Sequence, residues 1–590
     1  MPASPGRCQK PLMTSNVDSP RQPWLLLALT LFTFLFLLGS RSLNEPDEGR
    51  YAEIAREMIE TGDWLVPHFW YVPHLDKPPL TYWAVAVSIL AFGENEWAVR
   101  LPLALSGLSG VWACCLFGRE LGGRRVGLWS ALILQSSLLY FVMARMLTSD
   151  IFLAQFIAWA VYFFWQSWRR LDHAAAAPES KRNGKRFFGW HLAGWTAVAL
   201  GFLTKGPIAL AVPLVCLAAL LICRGREVQS RKALAGGLMA GLALFAVLVA
   251  PWFTTVFHRV PGASDFMIYG QAVGHVLGTT IRNRRGSLFY FFGILGIGLL
   301  PWAWLLCWLW RRAHWRSLAA AQKDGWLVLS VWAVFPFCLF SLTRAKLPAY
   351  ILPIFPALSV MVALRFFGTG AGSNATQPPG WTWRLCMMSP LVLMVVIPVL
   401  VPSIFHVAEP ASLKLQVAVA AVALALLGWR GRRFSRSQCA AFGVVLALLS
   451  LQFMAAGMPL LETSLKSNQT IKPLGLALRE SWRPGDTLVC WGRLPQGLPF
   501  YAHPVLSVTR RPYLGGMPFD QVPFEFPGNR ERFGGLVLPD EHALVQLLSE
   551  NKRVLVVGFS GSLNHFQQVT QNKPLHQIIR VGQWELFSNH

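Results

Sequence analysis

Thirteen apolar stretches, each long enough to cross a lipid bilayer, follow one another through the first 458 residues of this 590-residue chain. Such stretches must form helices in a membrane, because lipid offers the backbone no hydrogen-bond partners. Composition agrees, since 54% of the residues are apolar and only 14% are charged, which disfavours soluble enzyme classes. The predicted fold class is mainly α, a polytopic membrane helix bundle. The stretches lie near residues 24–40, 100–117, 126–143, 150–167, 188–204, 206–223, 234–257, 287–309, 326–343, 348–366, 385–403, 412–429 and 440–458.

The loops between these stretches predict how the bundle is oriented. Basic runs such as KRNGKR, RGREVQSRK and WRGRRFSR fall in alternate loops, which the positive-inside rule assigns to the cytoplasm together with residues 1–23. This pattern holds only if residues 79–92 do not cross, and a helix of that length is too short for a core of about 30 Å. We therefore predict an interfacial or re-entrant helix there. The net charge of +24 then reflects orientation, and no nucleic-acid partner is needed to explain it.

The last part of the chain has a different character. Thirteen crossings from a cytoplasmic N-terminus place residues 459–590 on the outer side of the membrane, after a transmembrane domain at 24–458. Pro, Gly and charged residues return there, and short strand-like segments occur at 487–491 and 554–559, with a helical segment near 541–551. We predict a small α/β domain on the outer side of the membrane.

The first outer loop, residues 41–78, holds eight of the 29 acidic residues of the chain. Its sequence predicts a helix on the membrane surface, with Pro46 in the first turn and an acidic N-terminus displayed at the positive end of the helix dipole. Asp47 and Glu48 are candidate catalytic residues at this end. Arg50 lies one turn away from Asp47 and can orient it. For Glu48, a structural role in capping the helix is the alternative.

Other polar residues gather at the predicted outer ends of the membrane helices. Cations there oppose the orientation preference, so we expect them to bind an anion, and a phosphate whose ester chain lies in the bilayer fits their position. Anchoring at the membrane interface is the alternative for each cation taken singly. The candidates are Asp150 as a further catalytic acid, and Arg50, Lys77, Lys205, Arg344, Lys346 and Tyr350 as donors to a phosphate.

Five motifs carry a resemblance to a known family. The sequence resembles the membrane glycosyltransferases of GT-C type that use polyprenyl-phosphate sugars, the clan of the protein O-mannosyltransferases, and most closely the lipid A 4-amino-4-deoxy-L-arabinose transferases. The motifs are EPDEGRYAEIAREM (45–58), DKPPLTYW (76–83), RLP (100–102), LTKGP (203–207) and KLPAYILPIFP (346–356).

This resemblance implies a periplasmic active site in the bacterial inner membrane, an undecaprenyl-phosphate sugar as donor and lipid A as acceptor. Asp47 matches the key acidic position of the family, and Lys77 and Tyr350 match positions associated with the carrier phosphate. There are two departures. Asp76 stands where the family often has Glu, and the usual Glu-His pair is replaced by Gln271 and Ala272, so a metal-ligand role cannot be carried over and the need for a divalent metal stays open.

The implied reaction is attack on the anomeric carbon of the donor sugar, with the lipid phosphate leaving and cations such as Lys77, Arg344 and Lys346 stabilising its charge. If the acceptor is a hydroxyl group, Asp47 is the expected general base. If it is a lipid A phosphate, no base is needed and Asp47 would orient the sugar or pair with its amino group. Two alternatives stay open: transfer of a hexose such as mannose to protein or another glycan, and a flippase for lipid-linked sugars. Charges at the membrane ends favour the enzyme, since transporters place them near the midplane.

Overall fold

The computed structural model describes most of the chain, namely residues 22–173, 180–224, 231–273, 286–310, 315–316, 318–368, 378–405, 422, 430, 433–464, 470–503, 505, 513–515, 538, 541–550, 552–560 and 575–590. Helical segments occupy every predicted apolar stretch within these ranges. The stretch predicted near 412–429 lies outside the described residues, apart from Val422.

The bundle is built from α-helices joined by short loops and by three irregular helical segments. The irregular segments are a π-helix at Phe266–Val273 and 3₁₀ helices at Trp302–Trp308 and Pro348–Ile354. In chain order the α-helices described up to residue 464 are α1 (Gln22–Leu35), α2 (Asp47–Thr61), α3 (Leu80–Phe92), α4 (Glu96–Gln135), α5 (Leu138–Met143), α6 (Asp150–His173), α7 (Ser180–Lys205), α8 (Ile208–Arg224), α9 (Arg231–Arg259), α10 (Ala263–Asp265), α11 (Tyr290–Gly298), α12 (Ala320–Leu342), α13 (Phe355–Phe367), α14 (Gly380–Phe405) and α15 (Arg436–Ser464).

Among the described residues, seven helical segments are long and apolar enough to cross a membrane. An eighth is added if α11 and the following 3₁₀ helix, which meet at a bend of 119°, form one span. The predicted multi-pass helix bundle is confirmed, whereas the count of thirteen crossings stays a prediction. Helix α3 has 13 residues, which is short for a crossing and agrees with the interfacial or re-entrant helix predicted there.

Helix α4 contains the predicted crossing at 100–117 and the first part of the one at 126–143, which continues in α5, because α4 reverses direction at Gly123. This residue has φ 82°, a conformation that glycine adopts without steric penalty. The two arms then pack closely through small residues: a Cβ on Gly127 would come within 2.6 Å of the Cys115 carbonyl oxygen, and Cys114 Sγ lies 3.6 Å from the Ser130 carbonyl oxygen. The sequence therefore makes a tight helical hairpin here.

Helix α2 is followed by a small β-hairpin, formed by β1 (His68–Phe69) and β2 (Val72–Pro73), and then by α3, which packs on α2 and α4. Helix α2 ends at Gly62, whose φ of 70° is a conformation that favours glycine. The prediction of a surface helix with a displayed acidic end is wrong for most of its length, because residues from Glu48 to Met58 are buried. At the N-terminus Asp47 stays partly exposed, with 36% of its side chain accessible.

The C-terminal region forms the predicted α/β domain. Among the residues of this domain that the structure describes, the sheet has the strands β3 (Thr487–Trp491), β4 (Tyr513–Gly515), β5 (Val554–Phe559), β6 (His576–Val581) and β7 (Trp584–Ser588). Their order in the sheet is β4-β3-β5-β7-β6, with β4, β3 and β5 parallel and the other neighbours antiparallel. The strand predictions at 487–491 and 554–559 are confirmed, as is the helix near 541–551. The helices described in this domain are α16 (Lys472–Ser481), α17 (Leu498–Ala502) and α18 (Glu541–Ser549).

Candidate active site

Most of the candidate residues lie at one end of the helix bundle, where the start of α2, the start of α6 and the end of α7 meet. Asp150 is the first residue of α6 and Lys205 is the last residue of α7, and the two form an ion pair. The Lys205 ammonium group also lies 5.2 Å from the centre of the Tyr350 ring. Tyr51 of α2 donates a hydrogen bond to Ser149 Oγ at 3.4 Å, so α2 borders the same group. Residues far apart in sequence are thus collected at one membrane end.

Asp47 and Arg50 form the ion pair that their spacing predicts. Arg50 Nη2 donates to Asp47 Oδ1 at 2.6 Å, and the Arg50 side chain is only 6% exposed. Burial disfavours the charged guanidinium and so lowers the pKa of Arg50. The negative charges of Asp47 and Asp76 have the larger, opposite effect, and they raise this pKa above its usual range. Arg50 therefore stays charged and links the start of α2 to the segment before α3.

Lys77 lies in that segment, with one-fifth of its side chain exposed. Its ammonium group donates to the Asp76 carbonyl oxygen at 2.8 Å and lies 3.3 Å from Asp76 Oδ1. Burial lowers the pKa of Lys77, Asp76 opposes this, and the nearby cations Lys205 and Arg50 add to the lowering. A cation that is costly to keep charged in this setting gains stability from a bound phosphate, which supplies negative charge and further acceptors.

Glu48 has a different environment from its neighbour Asp47. Its carboxylate is fully buried between Arg100 of α4, at 2.9 Å, and Arg41, at 2.5 Å. The backbone N–H groups of Asn44 and Leu147 also donate to it, at 3.0 and 2.9 Å. Burial opposes ionisation, but the two arginines outweigh it and hold the pKa of Glu48 well below its usual range. The sequence predicts a catalytic role for Glu48, but its side chain is inaccessible and both of its carboxylate oxygens are engaged, so we propose a structural role instead.

The remaining acids of this loop are largely structural as well. Glu53 and Glu60 form ion pairs with Arg56, each at 2.6 Å, and Glu57 accepts a hydrogen bond from the Tyr71 backbone N–H at 2.9 Å. Burial, together with the neighbouring Glu53 carboxylate, raises the pKa of Glu57 well above its usual range. These contacts hold the β-hairpin on α2. The acidic residues of the loop therefore have two roles: those in the middle of α2 hold the hairpin, whereas Asp47 and Asp76 lie at the candidate site.

The predicted phosphate ligands Arg344 and Lys346 are placed differently from Lys77. Lys346 is buried, and its ammonium group donates to the carbonyl oxygens of Phe340 at 2.8 Å and Ser341 at 2.5 Å. It thus satisfies carbonyl groups at the C-terminal end of α12, as basic residues at helix ends often do. Arg344 is exposed. Within the described part of the chain, no contact joins Lys346 to Asp47 or Lys77, and its role in phosphate binding stays a prediction.

The structure adds contacts from the C-terminal domain that sequence reasoning missed. Glu45 accepts hydrogen bonds from the backbone N–H groups of Gln496 at 2.8 Å and Gly497 at 2.6 Å, both in the C-terminal domain. Burial raises the pKa of Glu45 to about 7, although these two bonds and the cations Arg493 and Arg50 act in the opposite direction. The contact spans about 450 residues, and the sequence carries no local signal for it.

Replacing Glu45 with Gln is expected to change how stability depends on pH. Since the pKa of Glu45 is higher in the folded protein than its ordinary value of 4.5, the folded state binds more protons between about pH 4.5 and 7. Glu45 therefore makes the wild type lose stability as the pH rises through this window. We expect the difference in melting temperature, E45Q minus wild type, to increase by a few degrees Celsius between pH 5 and pH 8. It can be measured on the purified proteins in detergent. Parallel pH profiles would contradict this assignment.

Metal binding has no support from the described residues. No group of three or more His, Cys, Asp or Glu side chains in that part of the chain is arranged to hold a metal ion. Gln271 and Ala272, which replace the family's Glu-His pair, fall in the π-helix at Phe266–Val273.

Comparisons with known proteins agree with the resemblance predicted from the sequence. Residues 76–252 match the family described as dolichyl-phosphate-mannose-protein mannosyltransferase. The undecaprenyl phosphate-alpha-4-amino-4-deoxy-L-arabinose arabinosyl transferase of Erwinia tasmaniensis is 32% identical over 347 residues, which are 57% of this chain and 58% of the relative. A relative from Sodalis glossinidius, whose name is the same with the number 2 added, is 35% identical over 353 residues, which are 59% of this chain and 60% of the relative. The match thus spans less than two-thirds of the relatives' length.

Solved structures extend the likeness over almost the whole chain. ArnT from Cupriavidus metallidurans, bound to undecaprenyl phosphate, superposes with a TM-score of 0.76 at 23% identity and covers 97% of this chain and 99% of its own. The archaeal oligosaccharyltransferase AglB from Archaeoglobus fulgidus gives a TM-score of 0.52 at 13% identity, with coverage of 97% and 75%. The predicted fold class and the predicted resemblance are both confirmed.

Proposed function

We propose that the protein is an integral-membrane glycosyltransferase that moves 4-amino-4-deoxy-L-arabinose from undecaprenyl phosphate to lipid A, on the periplasmic face of the inner membrane. The donor and the sugar are those in the names of its relatives, and undecaprenyl phosphate is bound in the similar ArnT structure. The observation that carries the proposal is the placement of a partly exposed carboxylate, Asp47, which is paired with Arg50, while Arg50 in turn lies near the cation Lys77 at one end of an apolar helix bundle.

The orientation of the bundle supports the periplasmic assignment. Glu45 contacts the C-terminal domain directly, so the candidate site and this domain share one side of the membrane. Arg224 and Asp324 form an ion pair between the end of α8 and the start of α12, in the opposite set of loops. Those loops carry the basic runs that the positive-inside rule assigns to the cytoplasm.

In the proposed reaction, an oxygen of the lipid A phosphate forms a bond to the anomeric carbon as the bond to the carrier phosphate breaks. The electron pair of the broken bond stays on undecaprenyl phosphate, and Lys77 stabilises this charge, with Lys205 nearby. The attacking phosphate is already anionic and needs no base. Asp47 then pairs with the amino group of the sugar and stabilises the positive charge that develops near the anomeric carbon.

Replacing Lys77 with Ala should weaken binding of undecaprenyl phosphate about tenfold, because a charge-assisted hydrogen bond in a partly buried site contributes about 1.5 kcal/mol or more. Binding can be measured by native mass spectrometry of the protein in nanodiscs, with Lys552→Ala as the control, since Lys552 is 64% exposed on the C-terminal domain. Equal affinities for K77A and wild type would remove Lys77 from the phosphate site.

The function is tested by mass spectrometry of lipid A from cells with and without the protein. We expect lipid A from cells that contain the protein to carry the additional mass of one aminopentose. Unchanged lipid A, with a hexose added to a protein or another glycan, would instead support the mannosyltransferase alternative. Movement of the lipid-linked sugar across the membrane without any transfer would support a flippase.

A further inference from the structure

The C-terminal domain reaches the candidate site through the loop between β3 and α17. Gln496 in this loop accepts a hydrogen bond through its side-chain Oε1 from Arg50 Nη1, at 3.1 Å. The backbone N–H groups of Gln496 and Gly497 donate to Glu45, as described above. The loop therefore holds α2 on both sides of Asp47, through Glu45 before it and Arg50 after it.

The two segments also meet backbone to backbone. A Cβ on Gly49 would lie 2.6 Å from Gly497 Cα, so only glycine at position 49 allows this approach. The contact is anchored further by Tyr501, whose hydroxyl accepts from the Leu43 N–H at 2.8 Å and donates to Glu96 at 3.2 Å. The loop is thus seated firmly on the start of α2.

Arg50 is fixed by partners on both of its terminal nitrogens. Nη2 donates to Asp47, the carboxylate that the proposed reaction assigns to the donor sugar, and Nη1 donates to Gln496. Two hydrogen bonds to the two ends of a planar guanidinium define its orientation, whereas one bond leaves it free to rotate about that bond. Without Gln496, Asp47 would keep its charge partner but lose the fixed direction of the pair.

We propose that Gln496 is a positioning residue for the transfer reaction: it orients Arg50, and through Arg50 it orients Asp47. The C-terminal domain thereby completes a site whose proposed catalytic and phosphate-binding residues all lie outside that domain. This inference rests on the transferase activity proposed above, and Gln496 itself is not expected to touch the substrates.

The first test compares three variants of the full-length protein reconstituted in vesicles. Gln496→Met keeps the size of the side chain but removes the acceptor, and we expect its kcat to fall about tenfold while KM for the donor lipid stays within twofold. Gln496→Glu keeps an acceptor oxygen and should recover most of this loss. Gln577→Ala, at an exposed position on β6, should match wild type. A kcat for Q496M equal to that of wild type would overturn the inference, as would a loss that Q496E fails to recover.

A double-variant comparison shows whether Gln496 acts through Arg50. If it does, adding Q496M to an Arg50→Lys variant should produce almost no further loss of kcat, because the guanidinium that Gln496 orients is already gone. Losses that multiply would show that Gln496 acts independently of Arg50, and would overturn the positioning role.

A labelling experiment separates this inference from the proposed function. Asp47 is accessible, so a water-soluble carbodiimide should modify it, and a carboxylate held by Arg50 should react slowly. We expect Q496M to increase labelling of Asp47 about threefold over wild type, measured by peptide mass spectrometry, with labelling of the exposed Glu480 unchanged. If the wild type transfers no sugar, the proposed function fails, and the labelling result still decides whether Gln496 holds the Arg50–Asp47 pair in place. Equal labelling of Asp47 in Q496M and wild type would overturn it.

Discussion

Asp47→Asn is expected to lower the turnover of sugar transfer at least a hundredfold, without reducing the amount of folded protein in the membrane. Asn keeps the size of the side chain and one acceptor oxygen, but it removes the negative charge that we assign to the developing positive charge of the sugar. Loss of one preorganised electrostatic partner typically lowers turnover by about 10²–10³-fold. Folding should be spared because the Asp47 side chain is 36% exposed.

Turnover of D47N is best measured on purified protein in vesicles, with size-exclusion chromatography to confirm folding. Asp63→Asn is a matched control in the same loop, since Asp63 forms a surface ion pair with Arg259, whose side chain is 50% exposed. Such pairs contribute little to stability. D63N should keep turnover within about twofold of wild type. Full turnover of D47N would remove Asp47 from the mechanism.

Glu48→Ala should differ from D47N, because it is expected to destabilise the fold and not to remove a group that takes part in the reaction. The substitution removes the carboxylate that Arg100 and Arg41 share. Arg100 is fully buried and only 14% of the Arg41 side chain is exposed, so both cations would lose this partner away from water. Removing one partner from a buried ion pair typically destabilises a protein by about 3–5 kcal/mol. We expect E48A to accumulate poorly and to unfold well below the wild-type temperature in detergent.

The control for this prediction is Glu480→Ala, which removes an exposed carboxylate from α16 and should leave the unfolding temperature unchanged. The two neighbouring positions then give a sharp contrast, with activity lost at Asp47 and stability lost at Glu48. An E48A protein that folds like wild type but transfers no sugar would return Glu48 to the catalytic residues and contradict its structural assignment.

The membrane helices could be predicted because their cause is local. An apolar stretch of about 20 residues has one favourable outcome in a bilayer, and the helices follow those stretches. The strands β3 and β5 and the helix α18 were also predictable, since alternating and helical patterns are properties of short segments. The pairing of Arg50 with Asp47 belongs to the same class, because residues three apart face each other on a helix.

Long-range contacts explain what the sequence alone could not predict. Asp47 and Glu48 are adjacent carboxylates at one helix end, and they differ because Arg100 and the Leu147 N–H approach only Glu48. Lys346 resembles a phosphate ligand in sequence, yet its ammonium group is engaged by carbonyl groups of α12. Gln496 lies 446 residues from Arg50, so its contact appears only in the folded chain.

The central claim is tested most directly by transfer with purified components. The wild-type protein in vesicles is supplied with undecaprenyl-phosphate 4-amino-4-deoxy-L-arabinose and lipid A, and both lipids are followed by mass spectrometry. We predict that lipid A gains the mass of one aminopentose, that undecaprenyl phosphate is released in equal amount, and that D47N produces neither change. Unmodified lipid A in the presence of folded wild-type protein and intact donor would contradict the proposed function.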